Sequence, residues 1–332
     1  VPQAHGQLLP VLALVFLFLL WSNSFHAIAY LRRSVGAWDL VVLRFAPVAV
    51  FSLTWILLHD PLHNLRILIE NPVRIAFLGL LIVPIYNVLL NWGQGQVPAG
   101  TASLLIAMNP LFTYALALVI RQERHRLRKS VGLMLSFTGV YLLLIQQGRS
   151  FGPGYGLHAL SVLAAPLSWA IATIVAKPLV TRESPLGVTY LSLAVGSVPF
   201  LLIAPFDHTL RVAIGGFTLE DWFAITHLSL MCTIIGFAIW YASLRRLPAS
   251  SVAAFVLLNP PMTIAFGPLW GTDQPTASVI GFGAWILAGI ILSTWRIPDT
   301  VTNAGNAVLG VLDSIEPSVR QVRDRFRGKP RK

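Results

Sequence analysis

A single cysteine, Cys232, leaves no partner for an intrachain disulfide and no thiolates for a metal cluster. It stands in an apolar run, where packing is its expected role. Charge is scarce too: Asp, Glu, Lys and Arg make up 11% of the 332 residues, against 55% hydrophobic ones. With a mean hydropathy of +0.72, this balance excludes an ordinary soluble domain and fits a polytopic membrane protein. No Asp or Glu falls in the middle of an apolar run. Asp39, Glu123, Glu220 and Asp221 stand near run ends and Asp273 in a terminal region, which argues against the buried carboxylate relay of a proton-driven antiporter. There is no GxxxxGK[ST] loop, no HExxH, no Cys/His cluster and no Ser/His/Asp set at one depth. The chain is therefore expected to be no enzyme and to carry no metal, cofactor or built-in ATP drive. A channel filter would need a ring of charges or carbonyls, and no such loop is seen.

What is abundant is apolar sequence. Ten segments are long enough, or nearly so, to cross a bilayer core of ~30 Å: 8–31, 38–58, 73–92, 98–120, 129–147, 157–179, 185–204, 222–243, 248–270 and 277–296. None alternates with period two, so helices are the reading. The net charge of +11 could suggest nucleic acid, but the basic residues gather in particular loops, as a topology signal does. Arg66, Arg74, Arg121, Arg124, Arg126, Arg128, Lys129, Lys177, Arg182, Arg245, Arg246 and the tail from Arg296 fall on one side. Only Arg32, Arg33 and Arg44 around the first loop, with Arg149 and Arg211, fall on the other. Both termini are expected in the cytoplasm. The tail, 298–332, is basic and suits either an interfacial helix on anionic lipid or a disordered topology anchor.

One stretch occurs twice. PAGTASLLIAMNPLFTYALALVIRQ starts at Pro98 and PASSVAAFVLLNPPMTIAFGPLWGT at Pro248. Pro98 pairs with Pro248, Asn109 with Asn259 and Pro110 with Pro260 at one constant offset. Ser168–Trp169 echoes Trp21–Ser22, and Gly289 echoes Gly139. Five spans per copy would put the second copy into the membrane from the opposite side, giving two inverted repeats, 8–147 and 157–297, with a site between them. The fold class read here is all-α, with ten transmembrane helices as two inverted five-helix repeats.

Polar side chains inside the spans need a wet or protein-lined surface. Trp21, Asn23, Tyr86, Asn87, Asn91, Ser103, Asn109, Trp169, Trp240, Tyr241 and Asn259 are the candidate cavity residues. Asn87 and Asn91 share a helix face, as do Asn109 and Thr113, and Asn259 and Thr263. Structural hydrogen bonding between helices is the rival role for each Asn. Pro110 and Pro260 free carbonyls one turn back and are candidate hinges. His26 is the one histidine inside a span, open either to a proton role or to a neutral hydrogen-bonded one. Gly132, Gly139, Gly281, Gly283 and Gly289 on spans five and ten suit close helix approach, as outer supports or a dimer surface. The expected site is polar and aromatic but uncharged, better suited to a zwitterion than to an anion.

These motifs together resemble the EamA group of the drug/metabolite transporter superfamily. They are Trp21–Ser22 with Arg44 in DLVVLRF, NWGQGQVPAGTASLLIAMNPLFTYALALVIRQER, SWAIATIVAKP, and WYASLRRLPASSVAAFVLLNPPMTIAFGPLWGTDQP. The resemblance spans about 8–297. It implies a multi-pass protein of the bacterial inner membrane with a cavity bounded by spans 1, 3, 4, 6, 8 and 9, exporting amino acids, aromatic ones included, or related metabolites. Glu123 matches the acidic residue ending span four, a gating candidate; Asp273–Gln274 departs from the pattern in the second copy. A small-molecule substrate, membrane lipid and a monomer or homodimer are the expected partners. The alternative within transport is an exporter or facilitator of other metabolites or drugs. Two other classes stay open: an intramembrane enzyme using His26 with Ser24, and a non-transporting scaffold.

Overall fold

The computed structural model describes residues 5–120, 127–151, 154–247, 249–271 and 276–294. Glu123, Pro248, Asp273 and the tail 298–332 lie outside them. Every element among the described residues is helical. The first half holds α1 (His5–Leu31), α2 (Ala37–Leu58), α3 (Pro61–Glu70), α4 (Pro72–Leu80), α5 (Tyr86–Gly93), α6 (Ala99–Ile106), α7 (Asn109–Val119) and α8 (Leu127–Phe151). The second holds α9 (Tyr155–Arg182), α10 (Pro185–Ile203), α11 (His208–Gly215), α12 (Leu219–Thr226), α13 (Gly236–Arg246), α14 (Ala249–Ala254), α15 (Asn259–Phe266) and α16 (Ala277–Thr294).

Among the described residues, seven helical stretches are long and apolar enough to cross a membrane: Leu12–Leu31, Ala37–Leu58, Pro72–Gly93, Ala99–Leu116, Tyr155–Arg182, Pro185–Phe206 and Leu219–Arg246. They fall on expected spans one to four and six to eight. Expected spans five and ten hold shorter apolar helices, Ser130–Leu143 and Ala277–Gly289. Expected span nine is a chain of short pieces, with 3-10 turns at Phe255–Leu258 and Gly267–Trp270.

Proline and its missing N–H explain several breaks. Pro84 lies in a π-helical turn, Leu81–Ile85, that joins α4 to α5. The helix restarts at Asn109–Pro110 and again at Asn259–Pro260, with Pro at the first turn, where no hydrogen bond is lost. Before Pro110 the chain tightens, with Met108 N–H donating to Leu105 O at 3.1 Å and Leu111 N–H to Met108 O at 3.0 Å. A longer π-helical segment, His227–Ile235, joins α12 to α13.

Polarity runs from outside in. Leu57 is 69% exposed and Leu202 65%, while Asn87, Asn91, Ser103 and Thr233 are fully buried. That arrangement suits a lipid solvent, in which backbone and polar groups must be satisfied internally. Inside, α2 packs along α10, α1 along α13 and α15, and α9 along α5, α6 and α7.

The tightest seam joins α8 to α16. Ser136 Oγ donates to Ile286 O at 3.0 Å, and Trp285 Nε1 to Leu135 O at 3.1 Å, each across 150 residues. A Cβ on Gly139 would stand 2.8 Å from Ile286 Cγ1, and one on Gly289 would stand 2.8 Å from Gly132 O. Contacts on α16 thus step back from Gly289 to Trp285 as α8 advances from Gly132 to Gly139, so the two helices run antiparallel. Gly281 differs from the close-packing expectation, because nothing lies within 4 Å of a Cβ placed there.

Candidate functional site

The helix breaks and the long helices converge on one cavity. Its wall takes Trp21, Ser24 and Phe25 from α1, Arg44 from α2, Tyr86 and Leu90 from α5, Ile106 from α6 and Asn109 from α7. Pro166 and Trp169 of α9, Phe237 of α13, Val256 and Asn259 complete it. The space is small in this conformation, about 40 Å³, room for a few waters.

Aromatic rings make one face. Trp169 stands edge-on to Trp21 at 5.4 Å and to Phe237 at 4.9 Å between centroids, with Tyr86 at 5.2 Å. Such edge-to-face contacts let each ring present a face or an edge to a solute. Trp21 is fixed by its indole N–H, which donates to Cys232 O at 2.8 Å. The polar face comes from the two Asn-Pro breaks. Asn109 Nδ2 donates to Pro166 O at 3.1 Å, and because that carbonyl only accepts, the amide's orientation is determined. Asn109 Oδ1, Asn259 Oδ1 and the indole nitrogen of Trp169 are buried without a hydrogen-bond partner, an arrangement that costs free energy unless a ligand or water meets them.

Arg44 corrects the expectation of an uncharged site. The charge pattern counted it with the cations around the first loop, and the family resemblance made it the arginine of span two, but neither put it in the site; it is 5% exposed, within α2, and part of the cavity wall. Its Nε donates to Thr233 Oγ1 and its Nη1 to Asn87 Oδ1, both at 3.0 Å. The two π-helical segments position these acceptors: Asn87 lies on α5, just past the first, and Thr233 within the second. Asn87 Nδ2 donates to Ile82 O and Val83 O in the Pro84 turn, each at 2.9 Å. Thr233 donates to Leu228 O at 2.8 Å within the second segment. Ser229 Oγ also donates to Arg44 O at 3.0 Å.

Among the residues singled out from sequence, Trp21, Tyr86, Asn109, Trp169 and Asn259 meet at the cavity. Asn87 stands behind it, holding Arg44. Trp240 forms a second aromatic layer, 5.6 Å from Trp21 and 5.5 Å from Trp169. Tyr241 and Asn91 are buried away from the wall, Asn91 with both amide atoms unpartnered. Ser103 donates to Gly100 O at 2.7 Å on its own helix. Asn23 donates to Leu19 O at 2.9 Å and accepts from Trp270 Nε1 at 3.1 Å, which ties α1 to the end of the broken ninth segment. His26 Nε2 donates to Thr263 O at 2.7 Å, and Thr263 Oγ1 to Ser22 O at 3.2 Å, so the histidine clasps α1 to α15. Ser24 Oγ gives its proton to Trp21 O at 2.6 Å. Pro110 and Pro260 are both buried beside the asparagines they follow. Ile106 and Val256, near which Pro110 and Pro260 were expected to free carbonyls, stand in the wall. Ser24, Phe25, Leu90, Pro166 and Phe237 were not singled out as wall residues; apolar ones carry no signal that separates cavity from core. No group of three or more His, Cys, Asp or Glu that could hold a metal occurs among the described residues.

Comparison with known proteins gives the family. The EamA-like transporter family matches twice, at 8–145 and 157–295. The chain is 30% identical over 290 residues to a probable terminal-alkyne amino-acid exporter of Streptantibioticus cattleyicolor, covering 86% of this chain and 93% of that one. It is 28% identical over 282 residues to an uncharacterized transporter of Archaeoglobus fulgidus, covering 85% and 96%. It is 25% identical over 293 residues to the uncharacterized inner membrane transporter YedA of Escherichia coli, covering 86% and 89%. A crystal structure at 19% identity shares the fold with a TM-score of 0.59, over 86% of this chain and 96% of the other. The chain is a multi-pass membrane protein and belongs to the EamA-like transporter family.

Proposed function

We propose that this protein is a secondary transporter that exports small metabolites, amino acids above all, by alternating access across the bacterial inner membrane. The observation that carries the reading is the meeting of Asn109 and Asn259, equivalent positions of the duplicated stretch, in the wall of one cavity with Trp21 and Trp169. A solute held between two halves can be offered to either side by rocking one half against the other. The amino-acid exporter of Streptantibioticus cattleyicolor, similar over most of its length, supports the substrate class.

On this reading the ten expected spans form two inverted five-helix repeats, 8–147 and 157–297. Several contacts support that arrangement. Packing of α1 on α13 has its counterpart in α9 on α5, and α1 on α15 in α9 on α7. The antiparallel seam around Ser136 and Ile286 pairs equivalent positions, as an axis in the membrane plane requires. The basic loops put both termini in the cytoplasm. Pro110 and Pro260 are the hinges, His26 steadies α1 against α15, and Glu123 is assigned the gating role on the family resemblance alone. A cavity of about 40 Å³ must widen to take an amino acid, which is the work assigned to those hinges.

Counterflow in proteoliposomes tests the reading. A pool of unlabelled amino acids is loaded and labelled ones are followed singly. Saturable accumulation of at least one, abolished in a folded Asn109→Ala protein, is expected. Flat traces for the whole pool from folded protein would remove the amino-acid substrate class.

A further inference from the structure

The cavity wall carries one full charge, and its neighbours hold that charge without neutralising it. Thr233 and Asn87, which accept from Arg44, are both neutral. No carboxylate stands within ion-pair distance of Arg44 among the described residues, and its Nη2 makes no hydrogen bond among them. A buried guanidinium is costly when it is left without a counter-charge. A carboxylate is the group that completes it, since two oxygens match the planar N–H fork.

The same wall holds the opposite chemistry. Asn109 Oδ1 and Asn259 Oδ1 are buried acceptors without partners. An ammonium has three donors and no acceptor, so it would satisfy both. The same wall also carries Trp21 and Trp169, an apolar surface for a side chain.

We propose that Arg44 anchors the carboxylate of the transported solute while Asn109 and Asn259 receive its ammonium, so that the site selects free α-amino acids over their amides. This rests on the transport reading above and adds to it the residue that sets specificity. A dianionic phosphate fits less well, because one guanidinium leaves a charge unmet. A simple carboxylic acid fits less well because the two asparagine oxygens stay unpaired.

The test uses the full chain in proteoliposomes, with counterflow of labelled L-phenylalanine and three competitors. Unlabelled L-phenylalanine is set against L-phenylalaninamide, which lacks the carboxylate, and 3-phenylpropionate, which lacks the ammonium. Both analogues are expected to need at least ~10-fold higher concentration, because each leaves buried polar groups unpaired. Arg44→Gln should bring acid and amide to within about twofold of each other, and Arg44→Lys should restore part of the preference. A purely structural role for Arg44 would weaken all three ligands alike and leave their ratio unchanged, which overturns the proposal. Equal competition by acid and amide in the unmodified protein overturns it too, while leaving the carrier standing; this comparison decides the matter if the Arg44 variants fail to insert. Absence of L-phenylalanine exchange overturns it as well, whereas absence of exchange for the whole amino-acid pool removes the amino-acid substrate class on which it rests.

Discussion

The indoles of Trp21 and Trp169 meet edge to face, with ring centroids 5.4 Å apart and planes at 89°. They stand at matching places in α1 and α9, the first helix of each half. Trp169 also touches Tyr86, Phe237 and Trp240, so it is the ring around which the aromatic wall is arranged.

Replacing that ring should therefore act on affinity for ringed solutes first. Trp169→Phe keeps an aromatic face and is expected to hold KM for an aromatic amino acid within about threefold. Trp169→Ala removes contacts worth ~0.5–1.5 kcal/mol per ring pair and should raise that KM about tenfold, with a smaller rise for alanine. Equal losses for large and small substrates in counterflow would mean that Trp169 supports the fold and does not line the route.

The α8–α16 seam makes a separate claim about stability. Ala at Gly139 or Gly289 forces a methyl into space held by Ile286 or by the Gly132 carbonyl, and each should cost ~1–3 kcal/mol. Gly281→Ala, with nothing within 4 Å, should be neutral or stabilising by up to ~1 kcal/mol, because Ala loses less backbone freedom in a helix. Thermal unfolding in detergent separates the cases. Three indistinguishable melting curves would refute the close seam.

Outside the spans, Asp207 caps α11. Its Oδ1 accepts from Leu210 N–H at 3.1 Å and from Thr209 Oγ1 at 2.7 Å. The Leu210 amide first, and then the Thr209 hydroxyl, pull this carboxyl below its ordinary value. A folded-state value below the unfolded one gives a contribution that is fully present above the ordinary carboxylate range. It is lost as pH falls through the depressed folded value. Hydrogen exchange at the Leu210 amide should therefore lose protection on acidification in the native protein. Asp207→Asn keeps an acceptor without a titration, and its protection should be flat with pH. Asp207→Ala should cost ~0.5–2 kcal/mol locally.

The sequence made much of this legible, and the limits have physical causes. Apolar length marks a span wherever it is unbroken, which is why Ala37–Leu58 and Pro185–Phe206 stand where the hydropathy placed them. The duplicated Asn-Pro was visible because it is local. Polarity alone was a poorer guide to the cavity: Ser103 and Asn23 satisfy themselves on carbonyls three and four residues back, as helix hydroxyls and amides can. Arg44, read within span two but not as part of the site, was missed for the complementary reason. Its partners come from 43 and 189 residues away, so no neighbour in sequence announces them. The signal that remained was position, an arginine with apolar residues on both sides in DLVVLRF. The two π-helical segments, one leading into Asn87 and the other holding Thr233, have no pattern of their own; Pro84 marks the first, and nothing marks the second.

The proline breaks carry the last prediction, which separates binding from movement. Pro110 leaves the carbonyl of Ile106 without a donor from the next turn, and Pro260 does the same for Val256. Pro110→Ala returns an N–H at that point and lifts the ~3 kcal/mol that a proline would cost a continuous helix there, so α6 and α7 can fuse through the Ala107–Met108 turn. If the breaks are hinges, the fused protein binds as before and turns over more slowly. KM should stay within about twofold while kcat falls about tenfold or more. Replacing both Pro260 and Pro261 by Ala should deepen the loss by stiffening the matching helix of the other half, since Pro261 alone would keep that helix broken. The opposite split, a raised KM at unchanged kcat, would show that the prolines shape the site by directing Asn109 and Asn259 into it, and that the rocking takes place elsewhere in the chain.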